Sequence, residues 1–150
     1  MPAADLVIRP VAANDYAAWL PLWQGYQLFY EVHIPETVTA TTWPRLLDPA
    51  EPVHAALAWQ GDVAIGLVQW VYHRTTWSEK NDCYLSDLFV SPEVRGSGAG
   101  RGLIEHVYQV AGEAGCVSVH WLTHESNVVA QHLYNHVGER SGFIQYCQPL

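Results

Sequence analysis

The segment Val90-Ser91-Pro92-Glu93-Val94-Arg95-Gly96-Ser97-Gly98-Ala99-Gly100-Arg101-Gly102 decides how this chain of 150 residues folds. The apolar run before it predicts a strand over residues 83–90, and the periodic pattern after it predicts a helix over residues 98–114. Glycines between a strand and a helix let the backbone turn tightly with its N–H groups pointing inward, and the helix dipole adds positive potential. The segment therefore predicts a binding site for a phosphate or pyrophosphate group.

Two arginines, Arg95 and Arg101, flank the glycines in a chain whose 7 Lys and Arg against 15 Asp and Glu give a net charge of −8. A merely flexible or tightly packed turn is the alternative, and the flanking cations favour the phosphate site over it. A P-loop is excluded because no Gly-Lys-Ser/Thr ends the segment. A dinucleotide fingerprint, G-x-G-x-x-G, requires its last glycine three residues after the second one. Three residues after Gly98 stands Arg101, and three after Gly100 stands Leu103, so this fingerprint is excluded.

The pattern along the rest of the chain is a hairpin followed by strands and helices in alternation. Further strands are predicted over residues 6–9, 53–59, 63–72, 117–122 and 142–146. Helices are predicted after Asn14 as N-cap, over residues 42–47 within an irregular stretch, and over residues 127–137. Pro21 is expected to kink or divide the first helix. This order predicts an α/β fold with a mixed sheet.

Composition and charge restrict the class of protein. The length suits a single domain over residues 1–150, and 49% hydrophobic against 15% charged residues excludes a disordered chain. The acidic balance argues against nucleic acid or an anionic membrane as the main partner. The three cysteines are odd in number and widely spaced, Met1 to Arg9 shows no signal-peptide pattern, and no apolar run approaches the length of a membrane helix. We therefore expect a reducing, cytoplasmic location.

The segment Arg95-Gly96-Ser97-Gly98-Ala99-Gly100 resembles the acyl-CoA pyrophosphate loop of the GNAT superfamily of acetyl-CoA-dependent N-acetyltransferases, (Arg/Gln)-x-x-Gly-x-(Gly/Ala). Residues 84–90 resemble the strand that holds the pantetheine arm in that family. Asn127 and the pair Leu133-Tyr134 resemble the later Asn and the "Leu-Tyr" helix of the family. The strong similarity covers residues 84–143, and it is nearest to the histone and polyamine acetyltransferase-like branch.

The resemblance implies a GNAT fold, with a mixed, mostly antiparallel central sheet of about six to seven strands flanked by helices, in a homodimer. It implies that Asn127 hydrogen-bonds the cofactor arm. Backbone groups of three strand residues would hold pantetheine, and one N–H there would donate to the thioester oxygen: Leu88, Phe89 and Val90. Backbone N–H groups of the loop would bind the pyrophosphate: Gly96, Ser97, Gly98, Ala99, Gly100 and Arg101. Three arginines would balance the negative charge of CoA: Arg95, Arg101 and Arg140.

Tyr134 is implied by the same resemblance to be the general acid that protonates the departing sulfur. A phenol with a pKa near 10 is protonated at neutral pH, yet it can pass its proton to a nearby thiolate. The periodicity of Tyr134 with Ala130, Leu133 and Val137 would by itself favour a core tyrosine, and the resemblance reverses that preference.

The general base is left open by the sequence. Polyamine-acetylating relatives commonly carry Glu where this chain has Ser86, and period-two alternation puts the following Asp87 on the opposite face from Ser86. Bulk water that reaches the amine through a wet channel is one alternative. The others are carboxylates and histidines elsewhere in the chain: Glu31, His73, Glu79, His120 and Glu125.

Paired histidines raise the question of a metal. His132 and His136 are four apart on one predicted helix, with His120 and His124 upstream, and such spacing can bind zinc. The glutamate of H-E-x-x-H is missing, so exposed helix histidines are favoured and no metal is expected. Five aromatic residues could line a pocket that attracts a cation, although core packing explains most of them equally well: Phe29, Tyr30, Trp70, Tyr72 and Trp77.

Together these residues predict transfer of an acetyl group from acetyl-CoA to a primary amine by direct attack. The expected acceptor is a cationic small molecule, such as a polyamine or a basic amino acid, or else a lysine side chain. The rival is a CoA-binding regulatory module without catalysis, which Ser86 supports. A zinc hydrolase built on the histidines is a third hypothesis.

Overall fold

The computed structural model describes residues 5–150 as one five-stranded sheet with helices on both faces. Residues 1–4, which belong to the stretch without a signal-peptide pattern, lie outside the described part of the chain. The strands are β1 (Leu6–Pro10), β2 (Val53–Gln60), β3 (Val63–His73), β4 (Asp82–Val90) and β5 (Val119–His120). The α-helices are α1 (Tyr16–Phe29), α2 (Glu36–Leu47), α3 (Ala99–Glu113) and α4 (Val128–Val137), and short 3-10 helices cover Ala13–Asp15 and Pro92–Val94.

The strands lie in the sheet in chain order, β1-β2-β3-β4-β5. The first three pairings are antiparallel, and β4 pairs with β5 in parallel because α3 carries the chain back across the sheet between them. The hairpin predicted around Gly61 is confirmed, since Gly61 takes a left-handed φ of 59° between β2 and β3. The α/β class with a mixed, mostly antiparallel sheet is therefore confirmed.

Alternation along β2 divides the interior between the two faces of the sheet. Ala55 and Leu57 pack against α1 and α2, in a cluster that includes the fully buried Trp19. Ala56 and Ala58 point the other way and pack against α3, whose buried Leu103 is fully enclosed. Burial of a Leu or Phe side chain stabilises the fold by roughly 1.5 to 3 kcal/mol. Both faces of the sheet carry such side chains, and each is covered by its own layer of helices.

Two helices differ from their predicted form. Pro21 lies inside α1 without dividing it, because the helix continues from Tyr16 to Phe29. Asn14 does not cap this helix, since the residue at the N-cap is Asp15, whose carboxylate accepts the Ala12 N–H at 2.8 Å. The second helix begins at Glu36 and not at residue 42, directly after Pro35, which suits a helix start.

The sheet has five strands, fewer than the six to seven expected. The strand predicted over residues 117–122 shrinks to Val119–His120, and residues 142–146 form no strand. Gly142 turns the chain with a φ of 86°, and the following Phe143 stays largely exposed, because the short β5 offers no long edge for another strand to join. None of the helices among residues 5–150 has the length and apolar character required to cross a membrane.

Candidate active site

Two clefts adjoin each other and share three lining residues, Tyr30, Leu88 and Tyr134. The glycine-loop cleft has a volume of about 530 Å³, and besides Tyr134 its lining includes Phe29, Tyr30, residues 88–90, residues 95–101, Asn127 and Leu133. The tyrosine cleft has a volume of about 660 Å³, and its lining includes Tyr26, Tyr30, Tyr84, Ser86, Trp121, Glu125 and Arg140. A molecule in one cleft and a molecule in the other would therefore meet beside Tyr30, Leu88 and Tyr134.

The glycine loop presents backbone N–H groups to its cleft. Gly96 and Gly98 take left-handed φ values of 87° and 86°, which cost a residue with a side chain roughly 1 to 2 kcal/mol. Gly98 is the N-cap of α3, and the first N–H groups of a helix have no helical acceptor. Within residues 5–150, the N–H groups of Gly96 and Gly98 also have no hydrogen-bond acceptor. The loop is thus a concave set of donors at the positive end of a helix dipole, an arrangement that suits an anion.

The three arginines expected near the anion lie at different places. The Arg95 guanidinium stacks 4.8 Å from the ring centroid of Phe29, at the wall of the glycine-loop cleft. Arg101 also lines this cleft, where its Nε donates to Glu105 at 2.7 Å. Arg140 lines the tyrosine cleft instead. The structure therefore brings Arg95 and Arg101 to the loop and Arg140 to the opposite side of Tyr134.

Strand β4 has a free edge beside the same cleft. β5 pairs with Cys83 and Tyr84, and in the described part of the chain no strand continues that pairing along Leu85 to Val90. The Ser91 N–H donates to the Ile65 carbonyl at 2.8 Å, so Ser91 occupies a hydrogen-bonded position of the antiparallel β3–β4 ladder. Hydrogen-bonded and non-hydrogen-bonded positions alternate along such a ladder. That alternation turns the backbone groups of Phe89 toward β3 and those of Leu88 and Val90 toward the cleft. The free edge is a groove lined with backbone donors and acceptors.

Tyr134 is held by the start of α4 and by an aromatic neighbour. Asn127 caps the helix, since its side-chain oxygen accepts the Ala130 N–H at 3.3 Å. The ring of Trp121 meets the Tyr134 ring edge-on, with centroids 5.6 Å apart. Burial, and then the nearby Tyr30, raise the pKa of Tyr134 to about 12. The phenol is consequently fully protonated at neutral pH, as a proton donor must be.

Three more tyrosines line the second cleft. The ring of Tyr26 on α1 lies 4.8 Å from that of Tyr30, the residue that follows the helix, and Tyr84 projects from β4. Burial raises the pKa of all three phenols, so each keeps its proton at neutral pH. Neutral aromatic rings with hydroxyl groups at the rim attract cations through their faces, and a cleft of this kind suits a positively charged amine.

A buried chain of hydrogen bonds fixes Asp87 behind this cleft. The Trp19 indole N–H donates to Gln69 Oε1 at 2.9 Å, and Gln69 Nε2 donates to Asp87 Oδ2 at 2.9 Å. The Ser86 hydroxyl lies 3.0 Å from the same carboxylate oxygen. The nearby Asp87 charge adds to burial in raising the pKa of Tyr26.

The predicted separation of Ser86 and Asp87 onto opposite faces is wrong. Gln69 pairs with Asp87 while Trp70 pairs with Leu85, so Ser86 is an extra residue in β4. A bulge of this kind interrupts the period-two alternation and lets neighbouring side chains meet. The two side chains therefore form one polar group, which the alternation rule would have split.

The candidate bases are scattered. Of the five, Glu125 lines the tyrosine cleft, while Glu31 and Glu79 are exposed on other parts of the described surface. His73 and His120 lie beside Asp82 at the start of β4. The predicted aromatic pocket is not assembled as a unit, since Trp70 is buried in the core and Trp77 is 87% exposed.

Tyr26 and Tyr84 are among the lining residues of the tyrosine cleft that were not predicted from the sequence. A signal existed for each. Tyr26 stands four residues before Tyr30 and so shares its face of the helix, and Tyr84 stands two residues before Ser86 on the strand. Neither spacing separates a cleft residue from a core residue until the position of the cleft is known.

Comparison with known proteins identifies the family that the sequence matches. Residues 18–138 match the acetyltransferase (GNAT) family. A D-amino-acid N-acetyltransferase of Saccharomyces cerevisiae is 36% identical over 143 residues, which cover 94% of this chain and 89% of the yeast protein. A thialysine N-epsilon-acetyltransferase of Bos taurus is 31% identical over 114 residues, which cover 76% of this chain and 58% of the bovine protein.

Solved structures share the fold. A probable acetyltransferase superposes with a TM-score of 0.84 at 26% identity, covering 96% of this chain and 97% of that chain. An aminoglycoside N-acetyltransferase in complex with CoA superposes with a TM-score of 0.84 at 18% identity, covering 99% of this chain and 97% of that chain. The second likeness concerns the fold alone.

Proposed function

The chain belongs to the acetyltransferase (GNAT) family and is an acetyl-CoA-dependent N-acetyltransferase, and we propose that it acetylates the amine of a basic amino acid. The observation that carries the proposal is the position of Tyr134 between the two clefts. One cleft offers donors for an anion, the other offers rings for a cation, and the proton donor lies where they join.

The glycine-loop cleft fits acetyl-CoA because its unpaired N–H groups and free strand edge match a pyrophosphate followed by an amide-containing arm. The N–H groups of residues 96–101 would hold the pyrophosphate, next to Arg95. The backbone of Leu88 and Val90 would hold the pantetheine arm, with Phe89 as part of the wall and Asn127 beside it. When bound, acetyl-CoA supplies the thioester from which the acetyl group is transferred.

Proton transfer is assigned to Tyr134. Its raised pKa keeps the proton on Oη at neutral pH, and Oη gives it to the sulfur that departs from the acetyl group. The amine must lose a proton first, since an alkylammonium has a pKa of about 10.4. Glu125 lines the acceptor side and is the candidate base among the described residues, with bulk water as the alternative.

The acceptor is assigned from the two kinds of group in the tyrosine cleft. Tyr26, Tyr30 and Tyr84 suit the ammonium group of the acceptor, and the Asp87 charge behind Tyr26 adds to that preference. Arg140 suits a carboxylate, which a basic amino acid has and a polyamine lacks. The named relatives that acetylate D-amino acids and thialysine support an amino acid over a polyamine or a protein lysine.

The rival function, a CoA-binding module without catalysis, rested on Ser86 in place of a glutamate. The bulge joins Ser86 to Asp87, so a carboxylate remains at this part of β4. That observation favours catalysis. The cytoplasmic location, the homodimer and the single domain over residues 1–150 stay predictions.

The test is a panel of acceptors with acetyl-CoA, followed by release of free thiol. We expect saturable turnover on D- and L-lysine, weaker turnover on spermidine, and none on a histone peptide. Arg140→Gln should raise the KM for lysine about 10- to 100-fold, as loss of a charged hydrogen bond predicts, and leave the KM for spermidine unchanged.

Arg45→Gln is the matched control for that substitution. Arg45 is exposed on α2 and lies outside the lining of both clefts, so its loss should change neither KM. Turnover on spermidine that exceeds turnover on lysine, or an Arg140→Gln variant that binds both acceptors equally poorly, would refute the amino-acid assignment. The absence of thiol release with every amine would favour the non-catalytic module.

A further inference from the structure

Three strands of the sheet end together, at the end of β4 opposite to the glycine loop, and each carries a side chain that can bind a metal. His73 ends β3, Asp82 begins β4 and His120 ends β5. One ligand atom from each lies within 4.8 Å of the other two. His73 and Asp82 are partners in the β3–β4 register, so the sheet itself places them side by side.

Hydrogen bonds already orient two of these side chains as they would be oriented around an ion. His73 Nδ1 lies 2.8 Å from the Arg74 carbonyl oxygen, an arrangement that leaves Nε2 with a free lone pair. Asp82 Oδ1 accepts the Ser118 hydroxyl at 2.6 Å and the Cys83 N–H at 2.9 Å, which leaves Oδ2 facing His120. Metal-binding histidines and carboxylates in proteins are held by outer partners of this kind.

The distance between Asp82 and His120 is close to the distance between two ligands of one metal ion. Asp82 Oδ2 and His120 Nδ1 are 3.5 Å apart, whereas a charge-assisted hydrogen bond measures about 2.7 to 2.9 Å. Two ligands at about 2.0 to 2.1 Å from a tetrahedral zinc ion stand about 3.3 to 3.4 Å from each other. The His120 ring is held by Tyr84, which stacks on it at 5.3 Å, and by the His73 ring at 5.5 Å.

We propose that His73, Asp82 and His120 bind one divalent transition-metal ion, and zinc is the ion we test because two imidazoles and one carboxylate are a ligand set that it uses in proteins. Water completes the coordination, because the His120 side chain is 46% exposed. The ion fastens β5, which is only two residues long, to the ends of β3 and β4. Since Tyr84 stacks on His120 and lines the tyrosine cleft, one wall of that cleft is stiffened as well.

The test is zinc binding to the untagged, EDTA-treated full chain, measured by titration calorimetry and by Tm. We expect one zinc ion per chain and, at about a hundred times the Kd, a rise in Tm of about 5 to 10 °C. His120→Gln should weaken zinc binding at least about tenfold and cut the rise in Tm at the same zinc concentration to about half or less, while its Tm in EDTA stays that of the original chain. His73→Gln repeats the test if His120→Gln does not fold.

Two control variants remove other groups that could take zinc. His132→Gln with His136→Gln removes the exposed pair on α4, whose rings are 5.0 Å apart, and Cys147→Ser removes an exposed thiol. Both should bind zinc with unchanged stoichiometry and affinity. The proposal is overturned if the original chain takes up no zinc at millimolar concentration, if folded His120→Gln and His73→Gln bind it unchanged, or if a control variant abolishes binding.

Discussion

At the scale of single residues, Tyr134 combines the two properties that the departing sulfur requires of a proton donor. Its phenol keeps the proton, with a pKa raised to about 12, and it lines both clefts. Tyr134→Phe removes the hydroxyl and keeps the ring. We expect kcat to fall about 10²- to 10⁴-fold, the range of general acid catalysis, while the Kd for CoA stays unchanged in calorimetry.

Tyr108→Phe is the control for this substitution. The Tyr108 hydroxyl donates to the Val137 carbonyl at 2.6 Å, away from both clefts, so its loss should cost about 1 kcal/mol of unfolding free energy and leave kcat intact. Full activity in Tyr134→Phe would remove Tyr134 from the reaction. Equal losses of kcat in the two variants would mean that the helix packing between α3 and α4, and not the proton, is responsible.

Ser86 and Asp87 mark the limit of what residue patterns reveal. The sequence identified the strand and its polar pair correctly, but the alternation rule separated the two side chains. The bulge that joins them depends on the register between β3 and β4, where Gln69 faces Asp87 and Trp70 faces Leu85. Register is a long-range property, so no reading of residues 82–90 alone could have produced this contact.

At the scale of elements, the loop before α3 depends on glycines with left-handed backbone. Gly98→Ala places a side chain at a φ of 86°, where it costs about 1 to 2 kcal/mol, and the loop must shift to relieve it. Because the N–H groups of this loop are the proposed pyrophosphate ligands, we expect the KM for acetyl-CoA to rise about tenfold, the counterpart of about 1.4 kcal/mol. Steady-state kinetics with acetyl-CoA varied at saturating amine would measure this.

Gly112→Ala, in the same helix, is the control for Gly98→Ala, and we expect the opposite outcome. Gly112 lies within α3, and a Cβ there would meet no atom within 4 Å. The substitution should stabilise the protein by about 0.5 to 1 kcal/mol and leave the KM unchanged. If Gly98→Ala also left the KM unchanged, the loop would not be the anion site.

Elements with strong local signals were predicted well, and elements that need a partner were not. The hairpin at Gly61 and the helix after Gly98 follow from turn chemistry and periodicity inside short windows. The strand expected over residues 142–146 has the right residues, but it forms only beside a free edge of sufficient length, and β5 spans two residues. The same segment contributes Phe143 and Ile144 to the wall of the tyrosine cleft.

At the scale of the whole molecule, the sheet keeps two packed cores apart and leaves β4 open toward one side. α1 and α2 cover one face, and α3 and α4 cover the other. Where β5 stops pairing with β4, the edge opens into the two clefts. The glycine loop was predictable because its chemistry is local. The acceptor cleft draws on α1, β4 and residues 140–145, which only the complete fold brings together.

The half-buried tyrosines should make the protein sensitive to alkaline pH. An unfolded tyrosine ionises near pH 10, and the pKa of Tyr134 is raised to about 12 in the fold, so the stability linked to it is complete below about pH 10 and disappears as pH rises to about 12. Burial raises the pKa of Tyr26, Tyr30 and Tyr84 in the same direction.

Tyr134→Phe isolates the contribution of one phenol, since the buried Cys83 thiol, with a pKa raised to about 12, titrates in both proteins. We expect the unfolding free energy of the original chain, relative to Tyr134→Phe, to fall by about 2 to 3 kcal/mol between about pH 10 and 12, as a shift of two pKa units requires. Urea unfolding at a series of pH values, followed by tryptophan fluorescence, measures the difference. A difference that stays constant with pH would mean that the Tyr134 phenol is as accessible to water in the fold as in the unfolded chain, contrary to the burial that raises its pKa.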